Sequence, residues 1–578
     1  MKKTFLLSCL MLAAMPVMAA YTGHVYVDKN KNGVFDQSEK PLAGIKVSDG
    51  LNVVETAADG SFTLPGHERE RFIFITTPSG YKTFNRHYHK IEKKQSGYDF
   101  GLIPYSGRIR KDGSHRYIHI TDTEIFNTEN HADWVNNVHD YARNEQAAFI
   151  IHTGDICYEK GLKAHIKLMN TENMDCPVFY CIGNHDLVKG KYGEELFESI
   201  YGPVYYSFDA GNVHYVVTPM PGGDHAPGYT SDDVCRWLKN DLAHIRPGTP
   251  VVVFNHDLLT YEDTFIFKSK NAGSINLNEY NLKAWVYGHW HINYMKKQGD
   301  VYSVCTSSLD KGGIDHSTTA FRVMHVDSKG DFTSELRYTY LDKNICIASP
   351  AGVMASGVLP VAVNVYSSVS PVREVLYTCL ADGKPVLKNK RLLQSTDWSW
   401  NGELPLSHKY VGKELTLRVT ARFNNGEIAE AESHFICRTE KAVPLFSADW
   451  DNLSGNAKHS APVSAPLNLP LQLAWTNNVG ANLYMTSPLI HKGKVIVASV
   501  DEDLKGVGHV YALNGKDGTI LWSCPVRNSI KNSIAVDSDI VFAQDAQGFL
   551  YAIDTETGKL CWEKQLPVNG LPALIDGL

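Results

Sequence analysis

The sequence predicts a multidomain protein in which an α/β domain lies between two all-β, immunoglobulin-like sandwiches and precedes an incomplete β-propeller segment. Three observations support this fold class. At 578 residues the chain is too long for one hydrophobic core. Its pattern changes from short β-rich runs to alternating strands and helices, and then back to β-rich runs. Near its end, a pattern recurs after about 40 residues, which is typical of propeller blades.

The bulk composition indicates a globular protein without a general affinity for polyanions. Hydrophobic residues make up 43% of the chain and charged residues 21%. The formal net charge of −7 gives no attraction to nucleic acid or to an anionic membrane surface. We therefore predict no nucleic-acid partner.

Residues 1–20 have the pattern of a signal peptide. Lys2 and Lys3 precede the apolar stretch Phe5–Met18, and small residues follow at Val17–Ala19. The apolar stretch is shorter than the ~20 residues of a membrane-spanning helix, so no transmembrane helix is predicted. We expect export to the periplasm, or to the cell surface or medium.

Residues 21–105 alternate short β-rich runs, such as His24–Val27 and Phe72–Ile75, with turn signals, which predicts the first sandwich. Within it, residues 28–39 have the spacing of a calcium-binding loop with glycine at the sixth position. Its predicted oxygen ligands are Asp28, Asn30, Asn32, Asp36 and Glu39. The alternative is a polar turn between two strands. The spacing favours a structural calcium ion.

Residues 106–335 alternate apolar strands, such as Val251–Phe254, with helix-like stretches, such as Ala132–Asn144, which predicts the α/β domain. Five polar motifs follow strands in this region: Asp122-Thr123-Glu124, Gly154-Asp155, Gly183-Asn184-His185-Asp186, Asn255-His256 and Gly288-His289-Trp290-His291. Each motif alone is weak. Together their carboxylates, amide and imidazoles suit two hard cations beside a phosphate.

These motifs resemble the pattern D-x-H, G-D, G-N-H-[DE], H and G-H-x-H of the calcineurin-like metallophosphoesterase family, whose core is a four-layer fold with a β-sandwich flanked by helices. The resemblance implies two divalent or transition metal ions (Mn, Fe, Zn, Ni or Co) and hydrolysis of phosphate mono- or diesters by a metal-bridging hydroxide. The residues it assigns are Asp122 and His291 to the first metal, Asp155 to both, Asn184, His256 and His289 to the second, and His185 with Asp186 to catalysis.

Two positions depart from the family pattern. Glu124 stands where the family usually has histidine, and we expect it to ligate the first metal directly or through water. Tyr158 stands where some relatives have an acidic residue that orients the catalytic histidine. That role would pass to Asp186, to Glu159 or to no residue.

Residues 345–440 return to β alternation, as in Leu415–Val419, and predict the second sandwich. Residues 465–578 contain the repeat, in which Tyr511–Asn514 corresponds to Tyr551–Asp554, and this pattern resembles the pyrroloquinoline-quinone-type blade of quinoproteins and outer-membrane assembly lipoproteins. Because Pro572–Gly577 resembles the blade start Pro488–Gly493, we expect a truncated product, an incomplete sequence, or blades supplied by another chain. Quinone binding is not expected, since the resemblance implies that it needs a closed propeller.

The sequence thus leaves two functional hypotheses. The first is an exported metallophosphoesterase that acts on a phosphate-ester small molecule or a cell-envelope phosphodiester. The second is a non-catalytic cell-surface binding or scaffold protein with a decayed phosphatase core, which only Glu124 favours. The remaining predicted ligands and His185 favour the enzyme.

Overall fold

The computed structural model describes residues 20–93, 95, 97–439, 449–460, 473–483 and 486–566. They form a strand-rich, multidomain chain, as the sequence predicted. Of the predicted signal peptide only residue 20 lies within the described residues, and the predicted start of a further blade at 572–577 lies outside them. Among the described residues, no helix is both long and apolar enough to span a membrane.

The N-terminal region consists of nine short strands: β1 (Tyr21–Val27), β2 (Lys40–Pro41), β3 (Lys46–Ser48), β4 (Val53–Glu55), β5 (Ser61–Leu64), β6 (Phe72–Ile75), β7 (Tyr81–Thr83), β8 (Tyr88–Lys90) and β9 (Phe100–Pro104). One sheet has the order β2-β1-β9-β7, with β5 also paired to β1, and the other has the order β4-β3-β6-β8. Buried side chains of both sheets, among them Val25 and Val47, form one core.

The central region contains the helices α1 (Ala132–Asn144), α2 (Tyr158–Leu168), α3 (Glu195–Tyr201) and α4 (Ser231–Leu242) and the strands β10 (His115–Ile120), β11 (Ile150–His152), β12 (Val178–Tyr180), β13 (Tyr206–Ala210), β14 (Val213–Val217), β15 (Val251–Phe254), β16 (Ile266–Lys268), β17 (Ser274–Asn276), β18 (Leu282–Tyr287), β19 (Tyr294–Gln298), β20 (Val301–Cys305), β21 (Ala320–Val326) and β22 (Phe332–Tyr338). Two larger sheets have the orders β12-β11-β10-β21-β22 and β13-β14-β15-β18-β20-β19, and β16 pairs with β17.

Parallel pairing within these two sheets brings the motifs to the same edges. Strands β10, β11 and β12 run parallel in one sheet, and β14, β15, β18 and β20 run parallel in the other. The polar motifs follow β10, β11, β12, β15 and β18, so the carboxyl ends of five strands carry them. Loops at the carboxyl ends of parallel strands are the usual place for sites in open α/β sheets.

Aromatic side chains fill the space between the two larger sheets. Tyr117 of β10 stacks on Phe149, with ring centroids 4.7 Å apart, and meets Tyr215 of β14 edge to face at 5.6 Å. On the other face of the first sheet, Trp134 and Val138 of α1 pack with Ile118. Burial of large rings on both faces stabilises the strands whose ends carry the motifs.

The third region contains β23 (Asn344–Ser349), β24 (Gly352–Ala355), β25 (Val358–Tyr366), β26 (Val372–Ala381), β27 (Lys384–Arg391), β28 (Leu393–Gln394), β29 (Ser399–Pro405), β30 (Glu414–Phe423) and β31 (Ile428–Arg438). Its two sheets have the orders β23-β25-β29-β28 and β24-β31-β30-β26-β27. They share a core that includes Val363, Trp400, Val419 and Phe435.

The repeat region contains β32 (Leu489–His491), β33 (Lys494–Ala498), β34 (His509–Asn514), β35 (Ile520–Pro525), β36 (Ala535–Asp537), β37 (Ile540–Gln544), β38 (Phe549–Asp554) and β39 (Leu560–Gln565). Strands β32–β35 and β36–β39 form two equivalent four-stranded antiparallel sheets, in agreement with the sequence repeat. The side-chain Nδ2 of Asn528 donates to the Met295 carbonyl at 3.0 Å, so this region contacts the central one.

Candidate metal centre

The predicted ligands lie on sharply turned backbone at the strand ends. Asp122, Glu124, Asp155, His289 and His291 all have positive φ, between 45° and 66°. Only a few per cent of residues other than glycine adopt this left-handed conformation, and such strain concentrates at functional sites. Five of the predicted metal ligands thus share this rare backbone conformation.

Three groups of donor atoms share the Asp155 carboxylate, and two of them consist only of predicted metal ligands with no cysteine. Asp122, Asp155 and His291 place ligand atoms within 4.8 Å of one another, and so do Asp155, His256 and His289. The Nε2 atom of His256 lies 3.1 Å from Asp155 Oδ2, and the Nε2 atom of His291 lies 3.4 Å from Asp122 Oδ1. Asp155 therefore belongs to both groups.

The cluster has the chemistry that two cations require. Asp122, Asp155 and His256 are at most 1% exposed. The buried Asn184 Oδ1 atom has no hydrogen-bond partner among the described residues, and His256 Nε2 faces the Asp155 carboxylate. Buried polar atoms without a partner are costly, and buried carboxylates need a compensating positive charge. Oxygen and imidazole donors of this kind suit divalent transition metals, so the residues fit the implied ions.

The pKa shifts within the cluster also indicate that its carboxylates need more positive charge. Burial disfavours the charged imidazole of His256, but the Asp155 carboxylate outweighs burial and raises the pKa of that ring. Burial likewise raises the pKa of Asp155, but the His256 ring outweighs it and lowers that pKa below its usual value. The buried carboxylates thus draw positive charge towards the position that a cation would fill.

Backbone contacts hold the donors in place. The Thr153 carbonyl lies 2.7 Å from His256 Nδ1, which leaves Nε2 to face the cluster. The His289 amide donates to Asp122 Oδ2 at 3.0 Å, and the His185 amide donates to Asp155 Oδ1 at 3.0 Å.

A close approach explains one glycine of the motifs. A Cβ atom added to Gly183 would lie 2.2 Å from Asp155 Oδ1, nearer than real Cβ contacts come. Only glycine therefore fits beside the shared carboxylate.

Asp186 hydrogen-bonds to backbone amides, whereas the His185 ring contacts Asp224. The Asp186 carboxylate accepts hydrogen bonds of 2.9 Å from the amides of Gly183 and Cys157, and it is fully buried. Burial and the charge of Asp155 raise the pKa of this carboxyl. The contacts give Asp186 a part in shaping the turn that carries Asn184 and His185.

His185 is oriented by a residue that sequence reasoning missed. Its Nδ1 atom lies 2.9 Å from Asp224 Oδ2, and its ring centroid lies 5.4 Å from that of Tyr158. The amide of Asp224 donates to the Asn184 carbonyl at 3.1 Å. Burial disfavours the charged imidazole, but the hydrogen bond to Asp224 and nearby carboxylates outweigh it and raise the pKa of His185. A possible signal was Gly222-Gly223-Asp224, a further polar motif shortly after β14.

Glu124 has a cationic partner. Lys311 Nζ lies 2.9 Å from Glu124 Oε2 and 3.1 Å from the Glu124 carbonyl. The other carboxylate oxygen, Oε1, lies 3.6 Å from His291 Nε2. The extra negative charge that Glu124 brings to this position is therefore balanced by Lys311.

The predicted calcium ligands form a compact loop far along the chain from these motifs. Asp28 accepts from the amides of Asn32 at 3.2 Å and Gly33 at 3.0 Å, and Asn30 Nδ2 donates to Asp36 at 2.7 Å. Glu39 accepts from the Lys29 amide at 2.8 Å. The loop's own N–H groups thus engage the carboxylates, and calcium binding stays a prediction.

Comparison with protein families identifies the regions. Residues 29–104 match the N-terminal domain of calcineurin-like phosphoesterases, and residues 115–293 match the calcineurin-like phosphoesterase domain. Residues 472–574 match the outer membrane protein assembly factor BamB. The chain therefore contains the N-terminal and catalytic domains of the calcineurin-like phosphoesterase family, followed by a BamB-like repeat region, in the order that the sequence predicted.

Individual relatives match only parts of the chain. Purple acid phosphatase 13 of Arabidopsis thaliana is 26% identical over 215 residues, which span 35% of this chain and 36% of the relative's length. Among solved structures, a conserved protein of Streptococcus pneumoniae TIGR4, described as a predicted phosphoesterase, is 12% identical with a TM-score of 0.19, covering 39% of this chain and 98% of that one. A europium-containing methanol dehydrogenase is 23% identical with a TM-score of 0.18, covering 21% and 24%.

Proposed function

We propose that the protein is an exported metallophosphoesterase that hydrolyses phosphate mono- or diesters. The observation that carries the proposal is the pair of clusters of predicted ligands that share Asp155, with Asn184 Oδ1 left without a hydrogen-bond partner among the described residues. The calcineurin-like phosphoesterase domain supports metal-dependent phosphoester hydrolysis in general. The substrate would be a phosphate-ester small molecule or a cell-envelope phosphodiester, and the signal-peptide pattern of residues 1–20 supports export.

The donor sets divide between two ions. Asp122 and His291, with Glu124 directly or through water, would hold one ion. Asn184, His256 and His289 would hold the other, and Asp155 would contact both. When bound, such ions neutralise phosphate oxygens and lower the pKa of a coordinated water.

His185 supplies the group that assists departure of the alcohol. Its side chain is 33% exposed beside the buried donors, so a bound ester can reach it. Asp224 accepts from Nδ1–H and favours the protonated ring, which leaves Nε2–H to donate a proton to the leaving oxygen. No covalent phospho-enzyme is needed in this scheme.

The test is hydrolysis of p-nitrophenyl phosphate and bis-p-nitrophenyl phosphate by the full chain, with EDTA and then with manganese or zinc restored. We expect turnover that EDTA abolishes, that metal restores and that His185→Ala removes. The matched control is His434→Ala, at an exposed histidine of β31. The preferred ester distinguishes monoesterase from diesterase. Absence of turnover with either metal in folded protein would favour the scaffold hypothesis.

A further inference from the structure

The repeat region inserts a buried lysine into the central domain. Lys531, from the segment between β35 and β36, has a side chain only 3% exposed. Its Nζ atom donates to the Asn293 carbonyl at 2.6 Å and to Asp315 Oδ2 at 2.7 Å, and it pairs with Glu502. Asn293 and Asp315 belong to the central domain, whereas Lys531 and Glu502 belong to the repeat region.

These contacts converge on the backbone of His291. Asn293 lies two residues after His291, and its side-chain oxygen accepts from the Ser307 amide at 3.1 Å. The Ile314 amide, next to Asp315, donates to the His291 carbonyl at 2.9 Å. Lys531 therefore joins the two segments that fix the His291 carbonyl and the chain that follows it.

The loop around Asp315 is closely packed against the same carbonyl. Asp315 Oδ1 accepts from Ser317 Oγ at 2.7 Å and from the Ser317 amide at 3.1 Å. A Cβ atom added to Gly313 would lie 2.1 Å from Asp315 Oδ1 and 2.9 Å from the His291 carbonyl oxygen. Asp315 is thus packed against the loop whose Ile314 amide binds the His291 carbonyl, and His291 itself has a left-handed backbone conformation.

Lys531 is itself fixed by the repeat region. The neighbouring Ile530 amide donates to the Ser499 carbonyl at 3.1 Å, and the Ala546 amide donates to the Ser529 carbonyl at 2.8 Å. Ser499 directly follows β33 and Ala546 lies two residues after β37, so these bonds tie the Lys531 segment to a loop of each four-stranded sheet. The lysine is thus held on a rigid support rather than on a free loop.

We propose that Lys531 is a positioning residue for the metal centre, through which the repeat region orients His291 towards the first ion. The inference rests on the proposed function only in that His291 is taken as a metal ligand. The repeat region is then part of the catalytic unit rather than an appended module. Groups that hydrogen-bond a metal ligand directly change metal affinity by about 10–100-fold when replaced, and Lys531 acts one contact further away, so we expect the lower end of that range.

The test measures metal affinity of the full chain by competition with a chromophoric chelator, using zinc and manganese. We expect Lys531→Met to weaken one of two binding steps by about tenfold or more and to leave the other within about threefold. Lys531→Arg should restore most of the loss because it keeps the buried charge. The matched control is Lys492→Met in the same region, which removes an exposed lysine paired with Asp539 and should change neither step.

A second variant covers the case in which Lys531→Met does not fold, since it leaves two buried carboxylates without their cation. Asp315→Asn keeps an oxygen for Ser317 and leaves Lys531 paired with Glu502, yet it removes the charged contact to the His291 segment. It should weaken the same binding step, by a smaller factor. Circular dichroism and thermal unfolding establish that each variant is folded.

Several outcomes would overturn the inference. If folded Lys531→Met binds both metals as tightly as the wild type, His291 does not depend on this contact. If Lys531→Met does not fold, the same result in folded Asp315→Asn leads to the same conclusion. Equal weakening of both steps, or no recovery in Lys531→Arg, would indicate general loosening instead of positioning. Failure of the proposed function would be distinguishable from failure of this inference. In that case the wild-type protein itself would bind no metal, or would bind two ions without hydrolysing either ester.

Discussion

A buried histidine between two carboxylates predicts how stability depends on pH. His214 Nδ1 lies 2.6 Å from Asp209 Oδ1, and its Nε2 lies 2.8 Å from Asp241 Oδ2. The other charged group at this cluster is Lys46, whose Nζ lies 3.7 Å from Asp209, and Ser207 donates to Asp241 at 2.8 Å. Burial disfavours the charged ring, but the two carboxylates outweigh it and raise the pKa of His214 from 6.5 to about 8.

The sign and size of the effect follow from this pKa. Because the pKa of the folded state lies above that of the unfolded chain, the protonated ring stabilises the fold fully below about pH 6.5. The stabilisation is lost as the pH rises through about 8. The raised pKa corresponds to about 2 kcal/mol of unfolding free energy. For a domain of this size that equals a change of roughly 4–8 °C in Tm.

The assay compares wild type with His214→Gln by thermal unfolding in EDTA, so that metal binding does not contribute. The measured quantity is the Tm of the wild type minus the Tm of the variant. We expect this difference to be largest below about pH 6 and to be smaller by roughly 4–8 °C above about pH 9. The control is His434→Gln, at an exposed position, which should show no such dependence. A difference that stays constant or grows with pH would refute the assignment of the charged ring to His214.

Two further predictions concern the candidate site. Asp224→Asn should move the alkaline limb of the kcat profile to lower pH, because the carboxylate raises the pKa of His185 and the protonated ring is the active form; an unmoved limb would exclude His185 as the acid. Lys311→Met leaves the Glu124 charge unbalanced, which disfavours a phosphate anion, so it should raise KM for a phosphate ester by up to about fivefold with little change in kcat, because a half-exposed ion pair is worth at most ~1 kcal/mol. Steady-state kinetics measures KM and kcat, with Lys492→Met as control. An unchanged KM would show that Lys311 does not affect substrate binding.

Much of the fold and of the candidate site was predictable from local patterns. Strand ends carry polar residues after apolar runs, and parallel pairing brings such ends together, so the sequence indicated Asp122, Asp155 and His256 as neighbours. The repeat was equally visible, because each blade is a local unit with its own tyrosine and tryptophan positions. In both cases the signal lies within a short stretch of chain.

Contacts between distant segments were not predictable in this way. Lys311 reaches Glu124 and Lys531 reaches Asp315 across long stretches of sequence, and a single lysine has no spacing that identifies its partner. The departure at position 158 likewise involves a distant segment. Helix α2 begins at Tyr158, whose φ of 56° turns the chain, and the orienting carboxylate comes from Asp224 on another loop.

The count of bound metal ions tests the central claim most directly. After dialysis of the full chain against manganese or zinc, elemental analysis should find about two equivalents per chain in the wild type. His291→Ala should retain about one equivalent and His185→Ala about two, because His291 is assigned to one ion and His185 to none. Less than one equivalent in folded wild-type protein, or undiminished metal in His291→Ala, would contradict a two-metal centre built on Asp155.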